Sequence, residues 1–175
     1  MNIPASGRTK ALFVVDVQKG FLDDRTNYIV PNILKLIATV PYDAYVLASF
    51  HAGKGSRWEK QQGWTFPRGP SAEVVPEIMN ALRHRYAYVV EKETRSVFKG
   101  MPDVFPLLKK KGIEEIHVVG TQTNDCILAT CLDAFDLGFY PYAIEECCEA
   151  EPSELHKAGL RLLQEQCMTN NSLFS

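Results

Sequence analysis

Short apolar runs and amphipathic stretches take turns along the chain. The runs Ala11-Leu12-Phe13-Val14-Val15, Tyr45-Val46-Leu47-Ala48-Ser49-Phe50, Tyr86-Ala87-Tyr88-Val89-Val90, Ile116-His117-Val118-Val119-Gly120 and Tyr140-Pro141-Tyr142-Ala143-Ile144 are continuous rather than alternating. Runs of this kind read as strands covered on both faces. Residues 31–40, 71–82, 103–111, 124–137 and 153–166 instead place apolar side chains at helical spacing, most weakly in 71–82. Pro31 is placed to start the first helix, and Gly112 and Gly138 to stop the third and fourth. Strands alternating with helices imply βαβ units, and right-handed crossovers then put helices on both faces. The expected fold is a three-layer α/β, Rossmann-like sandwich around a mostly parallel sheet. Residues 53–70 break the rhythm and read as a long loop, a natural pocket wall where a strand's carboxyl end meets solvent. No repeat or linker divides the 175 residues, so a single domain over 1–175 is expected.

Composition narrows the function classes. Hydrophobic residues make up 46% and charged residues 23%, which excludes disorder and low complexity. Lys and Arg total 19 against 21 Asp and Glu, so no basic field exists to hold nucleic acid or a membrane surface. No apolar run approaches the ~20 residues that span a bilayer. The five cysteines are an odd number, no secretory signal is visible, and no Cys-x-x-Cys pair is present. This suits a cytoplasmic protein without a zinc site, and leaves one cysteine open to a reactive role. Gly53-Lys54-Gly55-Ser56 lacks the spacing of a phosphate loop.

In open α/β sheets the site lies beyond the carboxyl ends of the strands. Asp16 follows the first strand, His51 the second and Lys92 the third, while Cys126 opens the helix after the fourth. An acid, a base, a cation and a thiol therefore share one edge of the expected sheet. Thr123 or Asn124 is a suitable helix cap, and helix N–H groups in the first turn lower a thiol pKa and can hold an oxyanion. Each residue also has a plainer reading. Cys126 also reads as a small core residue, Asp16 as a solvated strand end, Lys92 as part of a charged cluster with Glu91 and Glu93.

Three segments together resemble the isochorismatase-like cysteine hydrolases. They are Val14-Val15-Asp16-Val17-Gln18-x-x-Phe21, Lys92-x-x-Arg95-Ser96-Val97-Phe98-x-Gly100 and Val119-Gly120-x-x-Thr123-x-x-Cys126-Ile127-x-x-Thr130-x-x-Asp133-Ala134-x-x-x-Gly138, in the family's order. The resemblance covers residues 11–163. It implies a catalytic triad of Asp16, Lys92 and Cys126, a cis peptide between Thr121 and Gln122, and a homo-oligomer, dimer or tetramer. It also implies hydrolysis of a small amide or carbamoyl C–N bond, because the family's vinyl-ether-cleaving members lack the cysteine. Gln18, Phe21, Trp64, Phe98, Gln122 and Thr123 are the expected substrate-binding residues, and Arg68 on the long loop is a candidate carboxylate partner. Nicotinamidases in this family carry a metal on an Asp-x-His segment. Here the segment reads Ser49-Phe50-His51, so neither metal nor cofactor is expected. Two other readings stand beside this one: a Cys–His hydrolase using His51, and a non-catalytic redox or binding protein on the same fold.

Overall fold

In a computed structural model, described for residues 6–85 and 87–167, five parallel strands form one sheet. They are β1 (Lys10–Val15), β2 (Ala44–Phe50), β3 (Ala87–Lys92), β4 (Glu115–Thr121) and β5 (Tyr140–Glu149), in the order β3-β2-β1-β4-β5. Tyr86, expected to begin the third strand, lies outside the described residues. The helices are α1 (Ile29–Thr39), α2 (Arg57–Gln62), α3 (Pro76–Leu82), α4 (Val97–Gly100), α5 (Val104–Lys110), α6 (Leu128–Asp136) and α7 (Ser153–Gln166). None of them is long and apolar enough to cross a membrane.

The period-2 geometry of the strands builds two cores. Ala11, Phe13 and Val15 of β1 point into one, with Val97, Val104, Leu108, Cys131 and Leu163 from α4 to α7. Leu12 and Val14 point into the other, with Ile33 and Leu36 of α1 and Ile78 of α3. Both faces are covered, and burying side chains such as Leu12 or Phe13 contributes roughly 1.5–3 kcal/mol each. The chain starts at the central strand, builds outward to β3, then crosses back to β4. The strand order thus reverses between β1 and β4, and a crevice opens at their carboxyl ends.

Three expectations need correction. The fifth strand runs on to Glu149, because two steps along β4 (Val118 to Gly120) are matched by five along β5 (Ala143 to Cys148). Residues 53–70 are not all loop: α2 lies within them, capped by Ser56, whose hydroxyl accepts from Glu59 N, and ended by Gly63. The helix expected over 71–82 is shortened to α3, with Pro76 in its first turn.

Candidate active site

Asp16 leaves β1 in a left-handed conformation, φ 55°, uncommon for a residue with a side chain. Its backbone is held from both sides: Asp16 N donates to Ala48 O of β2 at 2.9 Å, and the Thr121 hydroxyl of β4 donates to Asp16 O at 2.8 Å. Beside it, β1 and β4 come so close that a Cβ on Gly120 would lie 1.9 Å from Val15 O. This pinch brings the end of β1 beside the segment that carries Cys126. The Thr121–Gln122 peptide is cis. The next residues, Thr123–Ile127, form a wide turn in which Ile127 N reaches back five residues to Gln122 O, and α6 follows directly.

The geometry brings Asp16, Lys92 and Cys126 together. Lys92 Nζ donates to Asp16 Oδ2 at 2.7 Å and to Thr94 O at 3.1 Å, and lies 3.5 Å from Cys126 Sγ. All three residues are buried. Asp16 Oδ1 accepts no N–H or O–H hydrogen bond among the described residues. Burial raises the Asp16 carboxyl pKa above its ordinary value, with Lys92 pulling against it. Burial also works against the Lys92 ammonium, but Asp16 and Cys126 outweigh it and keep the group charged. Burial and then the Asp16 charge push the Cys126 thiol well above its ordinary value, against the pull of Lys92. The helix-terminus effect expected from sequence does not win here. The shift favours the protonated thiol, for which the Asp16 carboxyl is a hydrogen-bond partner.

Asp16 and Cys126 line a cavity of about 250 Å³ together with Phe21, Phe50, Trp58, Trp64, Thr121, Gln122 and Asp125, while Lys92 reaches the pair from outside the lining. Part of the cavity wall is a slab of rings around Trp64, with Trp58 edge-on to Phe50 and Trp64. Phe21 stacks on Phe66 at 4.2 Å, and Trp64 lies within 20° of both Phe50 and Phe66. An antiparallel bridge between Ala52 and Phe66 holds that segment over the crevice. Of the expected substrate-binding residues, Phe21, Trp64 and Gln122 line the cavity and three do not. Gln18 is fully buried and ties strands and loop together, donating to Phe50 O and Ala72 O and accepting from Phe50 N. Phe98 packs in the core between Phe13 and Phe139. The Thr123 hydroxyl is not a helix cap but is hydrogen-bonded to His156 of α7. Phe50, Trp58, Thr121 and Asp125 were not foreseen. Ser56-x-x-Glu59 followed by Gly63 is a helix signature inside the supposed loop, and it would have exposed Trp58.

His51 and Arg68 lie elsewhere, in a separate open cavity with Ser49 and Glu91. His51 Nε2 is 3.2 Å from Ser49 Oγ, and among the described residues no hydrogen bond or ion pair joins it to Cys126. Both Glu91 carboxylate oxygens are taken by Arg68, at 2.6 and 2.5 Å. Glu73, which also lines that cavity, is paired with Lys19. Two carboxylates each held by a cationic side chain, with serine in place of aspartate, do not fit a divalent cation. All five cysteines are buried, with Cys147 and Cys148 on β5 divided between the two cores.

A family model described as the isochorismatase domain matches residues 10–172. An isochorismatase family protein of Bacillus subtilis, YwoC, is 31% identical over 87% of this chain and 84% of its own length. Ureidoacrylate amidohydrolase RutB of Acinetobacter baylyi is 24% identical over 86% of this chain and 75% of its own. The structure of an isochorismatase-like hydrolase from Alkaliphilus metalliredigens superposes with a TM-score of 0.78 at 20% identity, covering 91% of this chain and 93% of the other. The matched region runs through all five strands and contains Asp16, Lys92 and Cys126, so the chain belongs to the isochorismatase family.

Proposed function

We propose that the protein is a cysteine amidohydrolase that cleaves the C–N bond of a small amide or carbamoyl compound through a thioester on Cys126. One observation carries this reading: a buried thiol within 3.5 Å of a lysine that also grips a buried carboxylate, with the thiol and the carboxylate lining one cavity. The proton of Cys126 passes to Asp16 as sulfur attacks the carbonyl carbon and the C=O pair moves to oxygen. Backbone N–H groups around Gln122 and Cys126 hold that oxyanion. The tetrahedral species collapses, the C–N bond breaks, and Asp16 gives its proton to the departing amine. Water then attacks the thioester carbonyl with Asp16 as base, the C–S bond breaks to release the acid, and Asp16 returns the proton to sulfur. Lys92 stays charged throughout and holds the carboxylate in place.

The cavity suits a small, flat acyl group lying against the ring slab. Arg95 supplies a cation next to two lining residues, paired through Nε with Asp125 and lying 4.4 Å over the Trp58 ring. The η nitrogens of Arg95 make no hydrogen bond among the described residues, which leaves a donor edge for a carboxylate. Ammonia release from a panel of small amides, with ureidoacrylate included, tests the reading. Amides with a carboxylate on the acyl part are expected to react faster than neutral ones of equal size. Lys92→Ala should lose at least about 100-fold in kcat/KM, and His51→Ala should stay near wild type. The reverse order would replace this triad with a Cys–His pair.

The pH dependence follows from the raised Asp16 carboxyl. Below its pKa Asp16 is protonated and cannot take the thiol proton. The acid limb of kcat/KM should therefore fall off at a midpoint above the ordinary 3.8. A limb centred at or below that value contradicts Asp16 as the base.

A further inference from the structure

The turn that carries Cys126 rests on α7 through a polar, part-buried contact. Thr123 Oγ1 is hydrogen-bonded to His156 Nδ1 at 2.8 Å, and Glu149 Oε1 of β5 lies 3.6 Å from the same nitrogen. Thr123 is fully buried, and the His156 and Glu149 side chains are 13% and 12% exposed. Glu149 is fixed in turn: the Tyr28 hydroxyl of the segment leading into α1 donates to Oε2, and Ala150 N donates to Oε1 at 2.8 Å. One helical turn past His156, α7 meets the turn's backbone directly. A Cβ on Gly159 would lie 2.8 Å from Asn124 N and 3.0 Å from Thr123 C. On its other side the turn follows Gln122, whose side-chain oxygen accepts from Glu151 N at 3.2 Å. His156 does not line the substrate cavity.

We propose that His156 is a positioning residue for the nucleophile. Through Thr123 it sets the height of the turn and so the place of Cys126 Sγ over Lys92 and Asp16. This rests on reading Cys126 as the nucleophile. The physical case is distance. Sγ sits 3.5 Å from Lys92 Nζ, and a shift near 1 Å in a reacting group can cost about 100-fold in rate. The hydrogen bond resists such a shift, because breaking it leaves the fully buried Thr123 hydroxyl without a partner.

The test uses the isosteres of the two histidine nitrogens. An Asn amide reaches the place of Nδ1, and a Gln amide the place of Nε2. His156→Ala and His156→Gln should lower kcat about 10- to 100-fold with KM within about twofold, because the cavity wall is untouched. His156→Asn should recover most of kcat. Thr123→Val, which keeps the side-chain shape, should behave like His156→Ala. A second readout needs no amide: the rate of Cys126 alkylation by iodoacetamide, with Cys126→Ala as blank, should fall in the same order. If no amide in the panel is hydrolysed, the alkylation series alone decides the positioning role. The proposal fails if Gln rescues as well as Asn, if KM rises while kcat holds, if alkylation speeds up, or if losses merely follow the folded fraction from thermal melts.

Discussion

Replacing Asp16 by Asn is expected to lower kcat/KM for amide hydrolysis by about 1,000-fold or more, and to destabilise the fold at the same time. The two effects have separate causes. Asn cannot accept the thiol proton, and Asp16 is proposed to act both as base and as acid, each role being worth about 10²–10⁴. The stability loss comes from Lys92, whose side chain is fully buried. Its ammonium would be left without a counter-charge, and removing one partner of a buried pair costs about 3–5 kcal/mol. Asp16→Asn combined with Lys92→Met separates the two. Replacing both charges by groups of similar volume should bring denaturant stability back to within about 1 kcal/mol of wild type. Activity should stay lost. A double variant that regains hydrolysis would show that Asp16 acts through folding alone.

Gly120→Ala should have the largest effect on stability. At φ 121° an L side chain is already strained, and its Cβ would lie 1.9 Å from Val15 O, an atom of the central strand that cannot swing aside. The sheet can accept it only by parting β1 from β4, so a loss above about 4 kcal/mol or failure to fold is expected. Gly138→Ala is the control. Its φ is also positive, at 78°, but the nearest atom to a new Cβ is the mobile end of Lys109 at 3.9 Å. That variant should lose only about 1–2 kcal/mol, the cost of the left-handed conformation. Urea melts of the two measure the difference. Equal losses would mean that the close approach of β1 and β4 contributes nothing.

The parts of the fold legible in sequence are those fixed by burial on both faces. Runs such as Ala11 to Val15 have no other stable home than a covered strand, and their charged ends mark where the sheet meets the crevice. Asp16, Lys92 and Cys126 were found by that rule and by the family's spacing. What stayed hidden depends on pairs distant in sequence. Gln18 looks like a pocket residue beside Asp16, yet its amide is spent on Phe50 and Ala72 backbone groups. Arg68 looks free until Glu91 is seen to take both ends of its fork. Thr123 looks like a cap until α7 brings His156 to it. The continuation of β5 past Ile144 is hidden because Glu145 and Glu146 break the apolar run, whereas an edge strand tolerates charge on its open side. The state of the thiol was also misjudged. A first-turn position argues for a lowered pKa, and only burial and the nearby carboxylate reverse it.

The covalent state of Cys126 during turnover tests the account most directly. Wild-type protein and Cys126→Ala are mixed with the amide that releases ammonia fastest, quenched in acid, and weighed intact by mass spectrometry. The wild type should gain the mass of the acyl group, peptide mapping should place that mass on Cys126, and Cys126→Ala should show neither adduct nor ammonia. Acyl mass on another residue, or ammonia released by Cys126→Ala at the wild-type rate, would contradict the thioester mechanism.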